Sequence, residues 1–255
     1  MKPSLNKNIH YLNFDSDFFN LNVGKFDALK SFTKKDLKSF FSDLDFDLIY
    51  LFIDLEKHKN FNFFEIKIPK FDIYYIDTQF ELYMKLAENF NYCQYKIFTN
   101  DDLSKIDLEQ ILDISEEIAL YSRFIYDKNF NKEQIFNLYH TTIKNTLNKS
   151  YGEGIILNKE PHTGKINGIL AIGKDFNSDN ILYGREIMIG VKNSYQGHGI
   201  GKKMFNCFLS YCKDNNIGKI FTKVSAKNIN SLNFHINIGF KIKKISHVFH
   251  LWRKN

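Results

Sequence analysis

Residues 186–203 read EIMIGVKNSYQGHGIGKK, an apolar run followed by a polar turn and a glycine-rich segment. The β-branched residues of 187–191 are typical of a short buried strand, and the pattern after Gly199 indicates an amphipathic helix. The first N–H groups of a helix lack internal partners, and its dipole is positive at that end. Glycine also lets the backbone approach a ligand closely. The segment therefore predicts an anion-binding loop, with Lys202 and Lys203 adding charge at its rim.

Two common phosphate-binding motifs do not fit this loop. A dinucleotide fingerprint requires G-x-G-x-x-G, and a Walker A loop requires Ser or Thr at the position of Lys203. Gln196, Gly199 and Gly201 instead fit the pattern Q/R-x-x-G-x-G/A. That pattern resembles the pyrophosphate loop of the GNAT superfamily, the acyl-CoA-dependent N-acetyltransferases. A tight strand-to-helix turn without a ligand is the alternative for these six residues taken alone.

Composition and charge indicate a globular protein of one large or two small domains. The chain has 255 residues, of which 44% are hydrophobic and 25% charged. No apolar run approaches the roughly 20 residues of a membrane span, and residues 1–15 lack a signal-peptide core, so we expect a soluble cytoplasmic protein. The net charge of +6 is spread along the chain and suits a small polyanionic ligand. We expect neither a nucleic acid nor a membrane as partner.

The cysteines and histidines do not predict a metal site. Cys93, Cys207 and Cys212 lack metal-ligand spacing, and the eight histidines form no H-x-H or H-x-x-x-H cluster. We therefore expect reduced cysteines that pack in the core, and no metal.

The order of predicted elements divides the chain near residue 90. A helical segment at 34–41 and strand-like runs at 47–55, 63–68 and 72–77 predict a small α/β accessory domain over residues 1–90. From residue 91 the predicted strands are 95–98, 154–158, 166–174, 181–191, 219–224, 241–245 and 248–253, and the predicted helices are 108–121, 132–148, 199–214 and 229–238. This order, β-α-α-β-β-β-α-β-α-β-β, resembles that of the GNAT superfamily. It implies an α/β (α+β) GNAT fold for residues 91–255, with a mixed central sheet flanked by helices.

A second motif, NINSLNFHINIGF, occupies residues 228–240. Asn228 suits a helix N-cap, and Gly239 suits the left-handed residue that ends a helix. The stretch resembles the GNAT signature N-x-x-A-x-x-[LF]-Y-x-x-x-G-F, with Ser231 as the small residue and His235 in place of tyrosine. The resemblance implies that acetyl-CoA is the cosubstrate. The residues it implies for binding are Ile189, Gly190, Val191, Gln196, Gly197, His198, Gly199, Ile200, Gly201, Lys202, Asn228 and Ser231.

His235 and Glu186 are the candidate catalytic residues. In family members the tyrosine is proposed to protonate the departing thiolate, and a neutral imidazole N–H at His235 could donate there instead. The alternative is that His235 only packs beside the ligand. Glu186 is the nearest carboxylate on the central strand and could accept the proton of the amine. Strand alternation puts it opposite the apolar side chains of 187, 189 and 191 unless a bulge intervenes, and a surface carboxylate is the alternative.

A likeness to one branch of the superfamily extends over nearly the whole chain. It rests on FDSDFF (14–19), DTQFELYMK (77–85), ALYSRF (119–124) and HVFHLWRK (247–254). These segments resemble the dTDP-4-amino-4,6-dideoxygalactose (dTDP-fucosamine) N-acetyltransferases of polysaccharide biosynthesis. The resemblance implies that the first 90 residues help form the acceptor pocket, where Tyr121 and Arg123 would contact a nucleotide amino sugar. Arg123 could pair with the diphosphate, although a surface role is the alternative.

The resemblance implies direct attack of the amine on the thioester, with a strand N–H of 189–191 stabilising the oxyanion. Neither motif contains a cysteine, which argues against a covalent cysteine intermediate. Another small amine or peptide amine as acceptor, and a CoA-binding module without turnover, stay open. The acyl chain length and the oligomeric state, with a homodimer as one option, stay open as well.

Overall fold

The computed structural model describes residues 9–28, 40–41, 44–58, 67–87, 90–177 and 179–254. The helix predicted at 34–41 and the strand predicted at 63–68 lie largely outside these residues. The described strands are β1 (Ile9–Tyr11), β2 (Val23–Ala28), β3 (Leu48–Asp54), β4 (Phe71–Lys85), β5 (Gly154–Lys159), β6 (Ile166–Phe176), β7 (Leu182–Val191), β8 (Lys219–Ser225) and β9 (Lys241–Arg253). The helices are α1 (Asn13–Phe19), α2 (Lys105–Ala119), α3 (Lys132–Leu147), α4 (Ile200–Asp214) and α5 (Ile229–Asn237), and 3-10 turns occupy Asn100–Asp102, Arg123–Tyr126 and Asn193–Tyr195.

In the described part of the chain, the strands form one mixed sheet in the order β1-β2-β3-β9-β4-β8-β7-β6-β5. The β2–β3 and β7–β8 pairs are parallel, and the others are antiparallel. The predicted mixed central sheet flanked by helices is confirmed. Because β4 lies between β8 and β9, the sheet is continuous across the boundary predicted near residue 90. Whether residues 1–90 form a separate domain stays a prediction.

Local signals explain where the helices begin. Ser104 caps α2 and Asn131 caps α3, each in a reciprocal capping box with the third helical residue. The predicted caps of the second motif are confirmed: Asn228 Oδ1 accepts from the N–H of Ser231 at 3.0 Å, and Gly239 has φ +106°. These bonds depend on neighbours in sequence, which is why the sequence predicts them well.

Longer-range pairing changed several predicted elements. The strands predicted at 241–245 and 248–253 are one strand, β9, because β3 and β4 flank it and hold its middle extended. The run predicted at 72–77 and the segment 77–85 likewise form the single strand β4, which contains a bulge between Tyr75 and Asp77. The strand predicted at 95–98 is reduced to one bridge between Phe98 and Ile155.

The prediction of reduced cysteines is wrong for two of the three. Cys93 and Cys207 are joined as a disulfide, with their Cα atoms 5.0 Å apart and a sequence separation of 114. The segment before Asn100 lies along α4, which brings the two thiols together. Cys212 is free and buried, as predicted.

Two apolar cores lie on opposite faces of the C-terminal half of the sheet. Ile111 and Ile114 of α2 pack with Ile143 of α3 and with β5–β7 on one face. On the other face, α4 buries the stripe predicted from the sequence, which consists of Met204, Phe205, Phe208, Tyr211 and Cys212. Both cores stiffen the strands that carry the candidate site. No helix of the described residues is long and apolar enough to cross a bilayer.

A buried carboxylate attaches the segment after α2 to the central strand β9. Asp127 Oδ2 accepts from His250 Nδ1 at 2.6 Å and from Trp252 Nε1 at 2.9 Å, and its Oδ1 accepts from Asn129. Burial lowers the pKa of His250 to about 4, against the opposing hydrogen bond and charge of Asp127. His250 is therefore neutral at pH 7. The clamp fixes the turn at Arg123–Tyr126 over the sheet.

We expect this clamp to weaken in acid. The folded-state pKa of His250 lies below the unfolded value of about 6.5, so only the unfolded chain binds this proton between the two values. The free energy of unfolding should fall between about pH 6.5 and 4, by about 3 kcal/mol from this group. In urea titrations His250→Gln, whose amide can still donate to Asp127, should show a shallower fall, whereas the exposed control His162→Gln should match the wild type. Parallel pH curves for the wild type and His250→Gln would contradict this account.

Candidate active site

The strands β7 and β8 separate after two residue pairs. They pair only at Gly184 with Ile220 and at Arg185 with Phe221, although β7 stays paired with β6 as far as Val191. Along the rest of β7 the edge that faces β8 has no strand partner among the described residues. Its backbone N–H and C=O groups can therefore bind an extended ligand inserted between the strands.

The glycine-rich loop closes one end of this gap. Gly197 and Gly199 have φ values of +81° and +74°, which favour glycine, and Gly199 is the N-cap of α4. The first bond of α4 runs from Lys203 N to Gly199 O. The N–H groups of the preceding residues thus point out of the helix, as an anion site requires. Gln196 Nε2 holds the loop by donating to Val191 O at 3.1 Å and to Asn193 Oδ1 at 2.9 Å.

A cavity of about 400 Å³ lies between the gap and the loop. It is lined by eleven of the twelve residues predicted to bind the cosubstrate, namely Ile189, Gly190, Val191, Gln196, Gly197, Gly199, Ile200, Gly201, Lys202, Asn228 and Ser231. The exception is His198, whose Nδ1 turns back to the carbonyl oxygen of Gln196 at 2.9 Å. The structure therefore brings the two sequence motifs together around one cavity.

Helix α2 supplies a wall of this cavity that sequence reasoning missed. Ile114, Glu117 and Ile118 line it. A Cβ at Gly190 would lie 2.5 Å from Ile118 Cδ1, so the glycine allows this helix to pack directly on the strand. A glycine inside a strand is the sequence signal for such a close approach, but it does not identify the partner.

A second, polar recess of about 160 Å³ continues from the first cavity. Ile118, Tyr121, Ile189, Asn228 and Ser231 line both. The recess also brings together the predicted site residues Glu186, His235 and Arg123, and Asp77, which was not predicted.

Glu186 and His235 form a buried pair in this recess. His235 Nε2 lies 2.8 Å and 3.0 Å from the two carboxylate oxygens of Glu186, and its Nδ1 donates to Ser231 O at 2.6 Å. A carbonyl oxygen only accepts, so Nδ1 carries a proton, and a further proton lies between Nε2 and the carboxylate. Burial alone would lower the pKa of His235, but the charge and hydrogen bond of Glu186, with Ser231 O, raise it. The contact with Glu186 therefore favours the protonated imidazole, whereas the sequence led us to expect a neutral one.

The strand alternation predicted around Glu186 is wrong beyond Ile187, because β7 has a bulge there. The register with β6 passes from Glu186–Ile172 to Met188–Ala171, which leaves Ile187 as the extra residue. Ile187 and Met188 consequently both pack with the α2–α3 core. Ile189 and Val191 pack on the side of α4, the side on which Glu186 meets α5.

Tyr121 and Arg123 lie at the recess, but Arg123 is held by aromatic rings. Its guanidinium lies over the rings of Phe124 and Tyr50, at 4.4 Å and 4.8 Å from their centroids. Tyr50 donates to Asp15 at 3.2 Å, so this part of the recess is built by the first half of the chain. Burial raises the pKa of Asp15, and Arg123 partly opposes that rise.

A groove of about 480 Å³ extends the recess on its far side, and Glu186, Ile187, Thr222 and Lys223 line both. Its further residues include the aromatic side chains Tyr151, Tyr183 and Phe221 and the cations Arg185 and Lys243. Lys243 pairs with Glu81 at 2.7 Å, and Arg185 lies over Tyr151 at 4.5 Å. Burial by the surrounding groups, and then the charge of Lys25, lower the pKa of Lys223, and the charge of Glu81 opposes that fall. The groove is thus aromatic and is lined by three cations and by the carboxylates Glu81 and Glu186. In the described residues, no group of three or more acidic, histidine or cysteine side chains could hold a metal.

The comparison with protein families agrees with this geometry. Residues 118–240, just under half of the chain, match the acetyltransferase (GNAT) family. This part of the chain is similar to a GNAT acetyltransferase domain. Residues 118–240 contain both sequence motifs, the Glu186–His235 pair and the C-terminal end of α2. The match agrees with the acyltransferase class predicted from the sequence, and members of this family use acetyl-CoA.

Solved structures agree in fold at low identity. The chain is 9% identical to a Drosophila protein (TM-score 0.53, 91% of this chain and 72% of that one). It is 13% identical to a conserved protein of unknown function from Staphylococcus epidermidis (TM-score 0.52, 92% and 85%). A GCN5-related N-acetyltransferase from Sphaerobacter thermophilus matches at 12% identity and a TM-score of 0.47. The match covers 81% of this chain but 59% of that protein, less than two thirds of its length. No curated protein sequence matches the chain.

We expect Gly199→Ala to weaken acetyl-CoA binding about tenfold. An alanine at this positive φ strains the loop, and its methyl group stands where the backbone approaches the ligand. Gly164→Ala is the matched control, since Gly164 has φ +68° and, like Gly199, has no atom within 4 Å of an added Cβ. Both variants should lose similar stability, about 1 kcal/mol, but only Gly199→Ala should raise the Kd measured by calorimetry. Equal Kd values would show that the loop does not touch the ligand.

We expect the protein to lose stability as the pH rises, through the Glu186–His235 pair. The raised pKa of folded His235 means that the pair's stabilisation is complete below the unfolded value of about 6.5. It is lost as the pH rises through the folded value. His235→Phe leaves a buried carboxylate unpaired and should cost about 3–5 kcal/mol.

Glu186→Gln offers the imidazole a neutral partner and should cost less than His235→Phe. It should also remove the alkaline decline in denaturant titrations between pH 6 and 9. If the stability of Glu186→Gln fell with pH as steeply as that of the wild type, the Glu186–His235 pair would be excluded as the cause of the alkaline decline.

Proposed function

We propose that the protein is an acetyl-CoA-dependent N-acetyltransferase whose acceptor is a nucleotide-linked amino sugar, a dTDP-linked 4-amino-4,6-dideoxyhexose. The observation that carries the proposal is the adjacency of three spaces. The cavity at the glycine-rich loop shares lining residues with the polar recess, and the recess shares lining residues with the aromatic groove that carries Arg185, Lys223 and Lys243. An acceptor with an amine at one end and a nucleotide at the other would span the recess and the groove.

The chemistry of the groove favours a nucleoside diphosphate. Its aromatic side chains can stack on a base, and Arg185, Lys223 and Lys243 can pair with phosphate oxygens. Nearby cations and burial disfavour the charged form of Lys223, so an anion bound beside it would relieve an existing electrostatic cost. A neutral or cationic amine would not provide this stabilisation.

The first cavity fits the thioester cosubstrate. The N-terminus of α4 would hold the pyrophosphate, and the unpaired edge of β7 at Ile189–Val191 would bind the pantetheine arm and stabilise charge on the carbonyl oxygen. The thioester supplies an electrophilic carbonyl carbon, which the amine attacks directly. Burial raises the pKa of Cys212 to about 12, and Cys93 and Cys207 are paired, so no cysteine in this arrangement is an activated nucleophile.

Residues 1–90 would act as the accessory part of the acceptor site. Asp77 and Gln79 of β4 line the recess, and Glu81 lines the groove. A cytoplasmic location and a homodimer stay predictions.

The direct test is thiol release from acetyl-CoA with dTDP-4-amino-4,6-dideoxyhexoses, the same sugars without nucleotide, polyamines, aminoglycosides and peptide amines. The kcat/KM of the nucleotide sugars should exceed that of the free sugars by at least about tenfold, because a single ion pair with phosphate contributes roughly that much to binding. A better rate with another amine would overturn the acceptor. Tight acetyl-CoA binding without any turnover would favour a non-catalytic binding module.

Lys223→Gln should raise KM for the nucleotide sugar about tenfold and leave the Kd of acetyl-CoA unchanged, because Lys223 lines the groove and not the first cavity. Lys241→Gln, an exposed change on β9 outside the groove, is the matched control. Equal KM values for the two variants would place the nucleotide elsewhere.

A further inference from the structure

A bulge in β4 turns one carboxylate into the recess. The register with β9 passes from Tyr75–Phe249 to Asp77–Val248, which leaves Ile76 as the extra residue. Bulges of this kind re-aim side chains next to active sites. Asp77 is fully buried from bulk solvent, and it lines the recess together with Glu186, His235 and Asn228.

One oxygen of Asp77 has no hydrogen-bond partner among the described residues. Oδ1 accepts from Ser225 Oγ at 2.9 Å, whereas the buried Oδ2 accepts from no group. An unpaired buried carboxylate oxygen is costly, and native structures rarely keep one without a reason. A ligand donor in the recess would satisfy it.

Glu186 has no oxygen free to accept a hydrogen bond from a ligand in the recess. Its Oε1 takes bonds from His235 and Thr222, and its Oε2 also contacts His235. Both of its oxygens are therefore engaged inside the protein. Of the two carboxylates at the recess, Asp77 alone presents an unengaged oxygen.

We propose that Asp77 is a catalytic residue that binds the acceptor's ammonium group and accepts its proton during acyl transfer. This inference rests on the proposed N-acetyltransferase activity but not on the identity of the acceptor. Asp77 lies outside residues 118–240, so the first half of the chain would supply the proton acceptor for the family domain.

The protons and bonds balance as follows. The ammonium R–NH₃⁺ gives one proton to the Asp77 carboxylate, and the free amine forms a C–N bond with the thioester carbonyl carbon. The C–S bond breaks, the sulfur leaves as thiolate, and the second nitrogen proton neutralises it. Asp77 returns its proton to solvent, so the net products are the amide, CoASH and one proton.

The charged groups around Asp77 suit this role. Burial raises its pKa from the ordinary value, and the hydrogen bonds of Ser225 and of the Thr78 backbone, with the charges of Lys227 and Arg123, oppose that rise. Lys227 Nζ donates to Ile76 O at 3.0 Å, which fixes it beside the bulge. On the other side of the recess, the side chains of Glu186 and His235 are hydrogen-bonded to each other at 2.8 Å.

The test compares Asp77→Asn with Asp72→Asn, an exposed carboxylate on the same strand. Asparagine keeps the shape of Asp77 and the bond from Ser225. For the best amine of the acceptor panel, whatever its class, kcat/KM should fall at least about 100-fold in Asp77→Asn. The Kd of acetyl-CoA and the thermal midpoint should stay near those of Asp72→Asn.

The pH profile separates a proton acceptor from a structural residue. In the wild type, kcat/KM should fall at acid pH as Asp77 becomes protonated. Asp77→Asn should lack this acid limb of the pH profile. Asp77→Glu should recover part of the rate and part of the acid limb. Unchanged kcat/KM, or an unchanged acid limb, in Asp77→Asn would overturn the role of Asp77. A higher kcat/KM for an amine without a nucleotide than for the nucleotide sugars would overturn only the proposed acceptor, and an enzyme that acetylates no amine would overturn both.

Discussion

The separation of β7 from β8 after Arg185 is the constraint on which the candidate site depends. Two parallel strands that stayed paired would leave no backbone groups for a ligand and no space between them. The strands are held apart by what packs on each side: α2 lies directly on Gly190, and α4 and α5 fill the opposite face. The bulge at Ile187 changes the phase of β7 at the same point. The glycine-rich loop, the recess and the Glu186–His235 pair all lie along this gap.

The central strands β4 and β9 connect the two halves of the chain to that gap. β9 lies between β3 and β4, and β4 continues to β8, so side chains from the first 90 residues reach the recess through hydrogen-bonded strands. The buried Asp127 clamp attaches the turn that carries Arg123 to the same strand β9. Charged groups can be placed accurately at the recess because a continuous sheet supports them, and a flexible linker between two domains would not provide this accuracy.

The two carboxylates of the recess differ because their surroundings differ. Glu186 shares a proton with His235, whose other ring nitrogen donates to the carbonyl oxygen of Ser231, so the polar atoms of both side chains are engaged within the protein. Asp77 accepts from the hydroxyl group of Ser225 and keeps one oxygen, Oδ2, without a partner among the described residues. His235 stands where the GNAT signature has a tyrosine, but it need not take over the tyrosine's proposed role as proton donor to the thiolate. Here its ring is turned towards Glu186, and it is almost fully buried.

The sequence by itself determined the features that depend on neighbours in the chain. The glycine spacing at 196–201, the cap at Asn228 and the apolar stripe of α4 arise from local backbone conformation and helical periodicity, and they predicted the loop, the helices and the family. Only the tertiary structure decided the bulges of β4 and β7, the pairing of Cys93 with Cys207, the union of Glu186 with His235 and the open oxygen of Asp77. Strand register and contacts between distant segments are set by how whole elements pack, and no local pattern in the sequence encodes which residue will face which.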